Sequence, residues 1–279
     1  MIRHIFLTLG LMLLAWPAAA QKAGVGAWEN SSNSILSWIE DTPGLGWYYN
    51  WRPDQMYHRG RQNRSVEFVP MIHGAGDVNK RIRSDRKVTA LLGFNEPDGH
   101  TGGHQAGMTV DKAVKLWPKL ERHGLRLGSP ATTQSGTLGR NSWLRRFMDQ
   151  AEGKGLRVDF IAVHYYSEDG NVGDFERWLR AVHREYGRPV WVTEFAHIDW
   201  SRPAAASHAG NAAFARKAIA MMERLPFVER HAWFAANPYP WQGRAPQINL
   251  LRDDLTLTPS GDAFTRAVSR AAGLQVASN

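Results

Sequence analysis

Short apolar runs alternate along this chain with longer segments whose apolar positions recur every three or four residues. A run of three to seven residues bounded by turn formers reads as a buried strand; the longer pattern reads as an amphipathic helix. Eight runs have strand character, at 24–28, 46–51, 66–72, 90–94, 126–128, 158–163, 189–193 and 231–234. Helical patterns cover 34–40, 78–86, 109–122, 142–151, 174–186, 208–223 and 261–272. In 109–122, Val110, Ala113, Val114, Trp117 and Leu120 share a face and Gly124 supplies the stop; Phe175, Trp178, Leu179 and Val182 do the same before Gly187. Asn141 is the expected cap of the 142–151 helix. Alternation of this kind predicts βα units and a parallel sheet, and eight strands are enough to close one. The expected fold class is α/β, a single (β/α)8 TIM barrel over residues 21–279, close to the roughly 250 residues typical of that fold. No internal repeat or linker interrupts it.

In such a barrel the chemistry lies at the carboxyl ends of the strands. The residues there are polar or aromatic: Asn50 and Trp51 after strand two, His73 after strand three, Asn95 and Glu96 after strand four. His164, Tyr165 and Tyr166 follow strand six, Glu194 follows strand seven, and Trp233 lies on strand eight with Asn237 beyond it. Strands four and seven face each other across an eight-stranded ring, so Glu96 and Glu194 can meet over its mouth. Two such carboxyls suit glycoside hydrolysis. Glu96 would serve as acid/base and needs a raised pKa; Glu194 would serve as nucleophile and needs to stay ionised. Asn95 could bond the sugar hydroxyl beside the anomeric carbon. One of Tyr165 and Tyr166, which alternation sends opposite ways, could donate to the nucleophile. Asp98 is expected to fix the loop after Pro97. His73 could be a substrate contact or structural, and His123, His183 and His231 read as structural or solvent-facing.

Composition narrows the alternatives. Residues 1–20 read as a secretory signal: Arg3 and His4, an apolar run from Ile5 to Trp16, then a small-residue cleavage site before Gln21. A secreted or periplasmic location is therefore expected. There is no cysteine, which excludes a disulfide framework, thiol catalysis and cysteine-bound zinc. The formal charge of +8 invites a nucleic-acid reading, but the charges are scattered. The densest stretch, 80–87, has helical spacing and reads as a solvated helix face. No nucleic-acid partner and no membrane span are expected, and a monomer is. Twelve tryptophans fit an open sugar cleft as well as a core. HExxH zinc signatures, phosphate loops and GxSxG elbows are missing. The proposed chemistry requires no metal and no cofactor.

The motifs GFNEPD (93–98) and WVTEF (191–195) resemble signatures of glycoside hydrolase family 128, the glycosyl hydrolase catalytic-core proteins. DFIAVHYY (159–166) is similar to the family's sixth strand, GWYYNW (46–51) and FVPMIHG (68–74) to its second and third, and HAWFA (231–235) to its eighth. The resemblance runs from about Gly24 to the final helix. It implies a clan A barrel, a retaining mechanism and endo-hydrolysis of β-1,3-glucan, so a β-glucan polysaccharide or oligosaccharide is the expected partner. It places Glu96 as acid/base, Glu194 as nucleophile, and Asn95, Asn50, Trp51, His164, Tyr166 and Trp233 as substrate-binding positions. Trp200, Tyr239 and Trp241 could add aromatic platforms, and the 98–107 loop is more polar than expected beside a glucan. A hydrolase of another β-glycan, a non-catalytic glycan-binding barrel and a basic polymer-binding protein are the alternatives.

Overall fold

The computed structural model describes residues 21–57, 66–86, 88–100, 102–241 and 245–274, so the expected signal segment lies outside the described residues. All eight strands are present: β1 (Ala23–Gly26), β2 (Trp47–Tyr49), β3 (Glu67–Phe68), β4 (Ala90–Leu91), β5 (Arg126–Leu127), β6 (Ile161–Ser167), β7 (Val190–His197) and β8 (Val228–Trp233). They form an α/β barrel of parallel strands. Continuous ladders join them in the order β3-β2-β1-β8-β7-β6, and β4 pairs with β5. Isolated parallel bridges, Met71 to Leu92 and Gly128 to Phe160, span the two seams between these sheets.

Six α-helices are described: α1 (Ile35–Asp41), α2 (Val110–Glu121), α3 (Trp143–Gly153), α4 (Val172–Tyr186), α5 (His208–Arg224) and α6 (Pro259–Ala271). Each of the five longer ones starts at a side chain that accepts a backbone N–H of its first turn: Thr109, Ser142, Asn171, Ser207 and Thr258. Such a cap contributes about 1 kcal/mol. Ser142, not Asn141, caps α3, because its shorter side chain sits beside the Arg145 N–H.

The expected helix at 78–86 is not formed, though Lys80, Arg81 and Arg83 remain exposed to solvent. Arg86 is buried instead: it pairs with the equally buried Glu40 of α1 and donates to the Val66 carbonyl at 2.8 Å. The helical spacing there reflected a few apolar contacts, while the guanidinium found two inward partners that a regular helix would have moved out of reach.

Alternation sorts the strand residues into two layers. Trp47, Tyr49, Val69, Leu92, Phe160, Ala162, Trp191 and Ala232 fill the barrel interior. Their neighbours Tyr48, Phe68, Leu91, Val163, Val192 and Trp233 face the helices. Burial of a side chain such as Phe160 contributes on the order of 2 kcal/mol. At the amino-terminal mouth, Glu67 pairs with Arg230 at 2.6 Å and Arg126 with Glu229 at 2.7 Å. Arg230 also lies over the Trp191 ring, 4.4 Å from its centroid. That end is closed and structural, which leaves the opposite mouth for chemistry.

Candidate active site

Three local departures from regular strand geometry aim the site. Just after β4, Gly93 leaves no room for a side chain: a Cβ would stand 2.8 Å from the Gly128 carbonyl oxygen and 2.9 Å from that of Ser129. This contact draws β4 against β5. Glu96 then takes a left-handed φ of 42°, and its N–H donates to the Ala131 carbonyl at 2.6 Å. The turn lets consecutive residues, Asn95 and Glu96, both line the cleft. On β7, the pairing to both neighbours skips a residue around Thr193: Val192 and Val163 are partners, and so are Glu194 and His164. Plain alternation from the inward Trp191 would send Glu194 toward the helices. The bulge restores it to the interior side. Just after β2, Trp51 takes a φ of 56°, which turns its indole to Glu194.

The two glutamates converge on His164. Its Nδ1 lies 2.8 Å from Glu96 Oε1 and 3.5 Å from Glu194 Oε2. One oxygen of each carboxyl and that nitrogen all lie within 4.8 Å of one another. Gln105 Nε2 donates to Glu96 Oε2 at 2.7 Å. Glu194 accepts from Trp51 Nε1 at 2.9 Å and from the Tyr166 hydroxyl. The Tyr49 hydroxyl donates to the Thr193 carbonyl at 2.8 Å and flanks Glu194 at 3.4 Å. Such a donor set could accept a cation.

The electrostatics of the empty cleft follow from these contacts. Burial alone would raise Glu96, but the hydrogen bond and charge of His164, with the Gln105 amide, outweigh it and hold Glu96 below its ordinary value. Glu194 is more deeply buried, and burial with the nearby Glu96 charge raises it despite His164, Tyr166 and Trp51. This is the reverse of the order expected from sequence, because Glu194 is the more deeply buried while His164 and Gln105 both bond Glu96. Burial lowers His164, yet the charges of Glu194 and Glu96 raise it overall. Burial and the Glu194 charge push the phenols of Tyr166 and Tyr49 well up, so both remain donors.

The cleft over these residues has a volume of about 1210 Å³. Its lining is largely aromatic, with Trp28, Trp51, Trp200, Phe234, Tyr239 and Trp241, and also includes His73, His104, Gln134 and Ser135. Of the expected site residues, Glu96, Glu194, Asn95, Trp51 and Tyr166 line this space. Tyr165 points the other way and stacks on Phe175. Asp98 anchors its loop by accepting the Thr133 N–H at 2.9 Å. Three expected substrate contacts are corrected. Asn50 faces out of the barrel, donates to the Asp54 carbonyl at 2.8 Å and accepts the Arg52 N–H, so it shapes the turn after β2. Trp233 is fully buried on the helix side, donates to the Ile248 carbonyl at 2.8 Å and packs on Phe264. His164 is 0% exposed and touches the carboxyls from beneath. Alternation explains the first two: inward Tyr49 and Ala232 force their successors outward.

Sequence reasoning missed Trp28, Tyr49, Phe234 and Gln105. Trp28 and Phe234 follow β1 and β8 and obey the same strand-end rule. Tyr49 was legible from alternation with Trp47. Gln105 carries no local signal, because its place depends on a loop folding back.

A parallel α/β barrel with paired carboxyls over an aromatic cleft at its strand ends is the architecture of a glycoside hydrolase. The sequence profile described as "Glycosyl hydrolase catalytic core" matches residues 24–264; the chain belongs to that family. Its structure superposes on a family 128, subgroup I endo-β-1,3-glucanase from Amycolatopsis mediterranei, solved as a variant with laminarihexaose, at a TM-score of 0.76 and 35% identity. The match covers 88% of this chain and 99% of that one. A subgroup VII oligosaccharide-binding protein from Trichoderma gamsii shares the fold at a TM-score of 0.70 and 22% identity, over 91% and 97% of the two chains. Alkali-sensitive linkage protein 1 of Schizosaccharomyces pombe is 30% identical over 215 residues, 72% of this chain. The chain spans only 38% of that relative's length.

Proposed function

We propose that the chain is an exported, retaining endo-β-1,3-glucanase. The observation that carries this reading is the approach of Glu96 and Glu194, with an oxygen of each within 4.8 Å, beneath an open cleft. That spacing suits direct attack on the sugar, whereas inverting enzymes separate their carboxyls to admit a water between them. The likeness to the Amycolatopsis glucanase supports the substrate class, and the character of residues 1–20 supports export.

Glu194 attacks the anomeric carbon while Glu96 gives its proton to the departing glycosidic oxygen, leaving a glycosyl ester on Glu194. Water then attacks the same carbon, Glu96 takes its proton, and the Glu194 carboxylate is released with the β configuration retained. Tyr166 and Trp51 fix the attacking carboxylate. Asn95 donates its amide to the His104 carbonyl at 3.1 Å, and its buried Oδ1 has no partner among the described residues. That oxygen accepts the hydroxyl next to the anomeric carbon. Protonation of Glu96 also removes the charge that raises Glu194, so the order of the two pKa values moves toward the one catalysis requires.

The test is product analysis on β-1,3-, mixed-linkage, β-1,4- and β-1,6-glucans, with Glu194→Gln alongside and NMR of the first-formed reducing ends. Short β-1,3-oligosaccharides released as the β-anomer by wild type only are expected. Cleavage of another polymer would remove the substrate assignment, and a first-formed α-anomer would remove retention. Oligosaccharide binding without any cleavage would favour the second reading, a binding barrel like the Trichoderma protein. Mass analysis of the exported form checks cleavage near Gln21.

A further inference from the structure

Glu96 has two oxygens, and both are occupied in the empty cleft. Oε1 is paired with the fully buried His164 at 2.8 Å. Oε2 is on the cleft side, and there it accepts the Gln105 amide at 2.7 Å. A glycosidic oxygen has to reach the same Oε2 to receive a proton, so substrate and the Gln105 amide compete for one position. An N–H donor also stabilises the ionised carboxyl, the wrong form for a general acid.

Gln105 is placed for such a contest. Its backbone neighbours are pinned, since Ala106 N–H donates to the Asn95 carbonyl and Met108 N–H to the Pro97 carbonyl, both at 2.8 Å. The His104 carbonyl receives Asn95 Nδ2 at 3.1 Å and faces His73 Nε2 at 3.2 Å. The Gln105 side chain crosses over Gly99, where an added Cβ would stand 2.2 Å from its amide carbon. Residue 99 therefore leaves the amide room to reach Glu96.

We propose that Gln105 is a substrate-displaced positioning residue: its amide holds Glu96 ionised and oriented in the empty enzyme, and surrenders Oε2 to the incoming glycosidic oxygen. On displacement Glu96 takes a proton from bulk water and then gives that proton to the leaving oxygen. The exchange makes the acid form of Glu96 depend on a filled cleft. This rests on the reading of Glu96 as acid/base.

The experiment follows the Glu96 carboxyl by ¹³C NMR in Glu194→Gln protein, which keeps substrate intact, with and without laminari-oligosaccharide. Gln105→Met is compared with the native glutamine, and Gln105→Ala serves as a second variant should the first fold poorly. With Gln105 present, the Glu96 midpoint is expected to rise on binding. With Met or Ala it is already raised in the free protein, on the order of one pH unit, and moves less on binding. In otherwise wild-type enzyme Gln105→Met lowers KM and leaves kcat in place, because nothing has to be displaced; a merely structural residue would raise KM or lower kcat. A free-state midpoint and KM indifferent to residue 105 overturn the proposal alone. Glucan cleavage unchanged in Glu96→Gln instead overturns the acid/base reading beneath it.

Discussion

Tyr166 shows how much of the site depends on one hydroxyl. Its ring stands edge-on to Trp200 and Phe234 in the aromatic lining, while its OH donates to Glu194. A hydrogen bond to a charged group is worth about 1.5–3 kcal/mol. Tyr166→Phe keeps the ring and removes the donor, so kcat on β-1,3-glucan should fall roughly 10- to 100-fold with KM nearly unchanged. Steady-state kinetics check this, and an unaltered kcat would mean that Tyr166 does not hold the nucleophile. The sequence already limited the choice to Tyr165 or Tyr166 by alternation. Alternation alone could not choose between them, because the choice depends on which face of β6 meets the interior; the family resemblance pointed to Tyr166.

At the scale of elements, the chain between β3 and β4 is informative because it has no helix among its described residues. The Arg86–Glu40 pair ties that segment to α1, with both side chains 2% exposed. Removing one partner of such a pair leaves an uncompensated buried charge. Arg86→Met is expected to cost about 3–5 kcal/mol, and Arg86→Met with Glu40→Met distinctly less, as read by urea unfolding. Equal losses in the two variants would mean that the charge pairing is not what holds the segment. The other helices were readable from sequence, since their apolar stripes and caps are local. Here the local pattern suggested a helix, and long-range contacts won: the Arg86 pair with Glu40 and the bond from Gln55 N–H to the Arg83 carbonyl at 3.0 Å.

For the whole molecule, the closed end of the barrel sets the response to acid. Burial alone would raise Glu223, but the His231 hydrogen bond at 3.0 Å, the His231 charge and Lys22 hold it low. Burial likewise works against Glu229, which Arg126, Trp191 and Arg230 hold low. A carboxyl whose folded pKa lies below its unfolded one stabilises the protein above the unfolded value, near 4.5, and that contribution is lost as pH falls through the folded value. Melting temperature should therefore drop steeply below about pH 4.5. Glu223→Gln and Glu229→Gln should melt lower at neutral pH and show a shallower acid slope. A variant slope as steep as that of wild type would show that these carboxyls do not set the acid limit.

What the sequence by itself determined is what local patterning can carry: eight strands in order, most of the helices with their apolar faces, and the two glutamates that follow β4 and lie on β7. Periodicity and turn chemistry act over a few residues, so they are written where they are used. What only the tertiary structure decided is where those side chains point and what they meet. The bulge at Thr193 that returns Glu194 to the interior, the left-handed turn at Glu96, the outward facing of Asn50 and Trp233, and the arrival of Gln105 at Glu96 all arise from contacts between distant segments. Those contacts also set the charges. Burial and the off-centre place of His164 gave Glu96 and Glu194 pKa directions opposite to the ones their chemistry implied, because a pKa responds to neighbours in space.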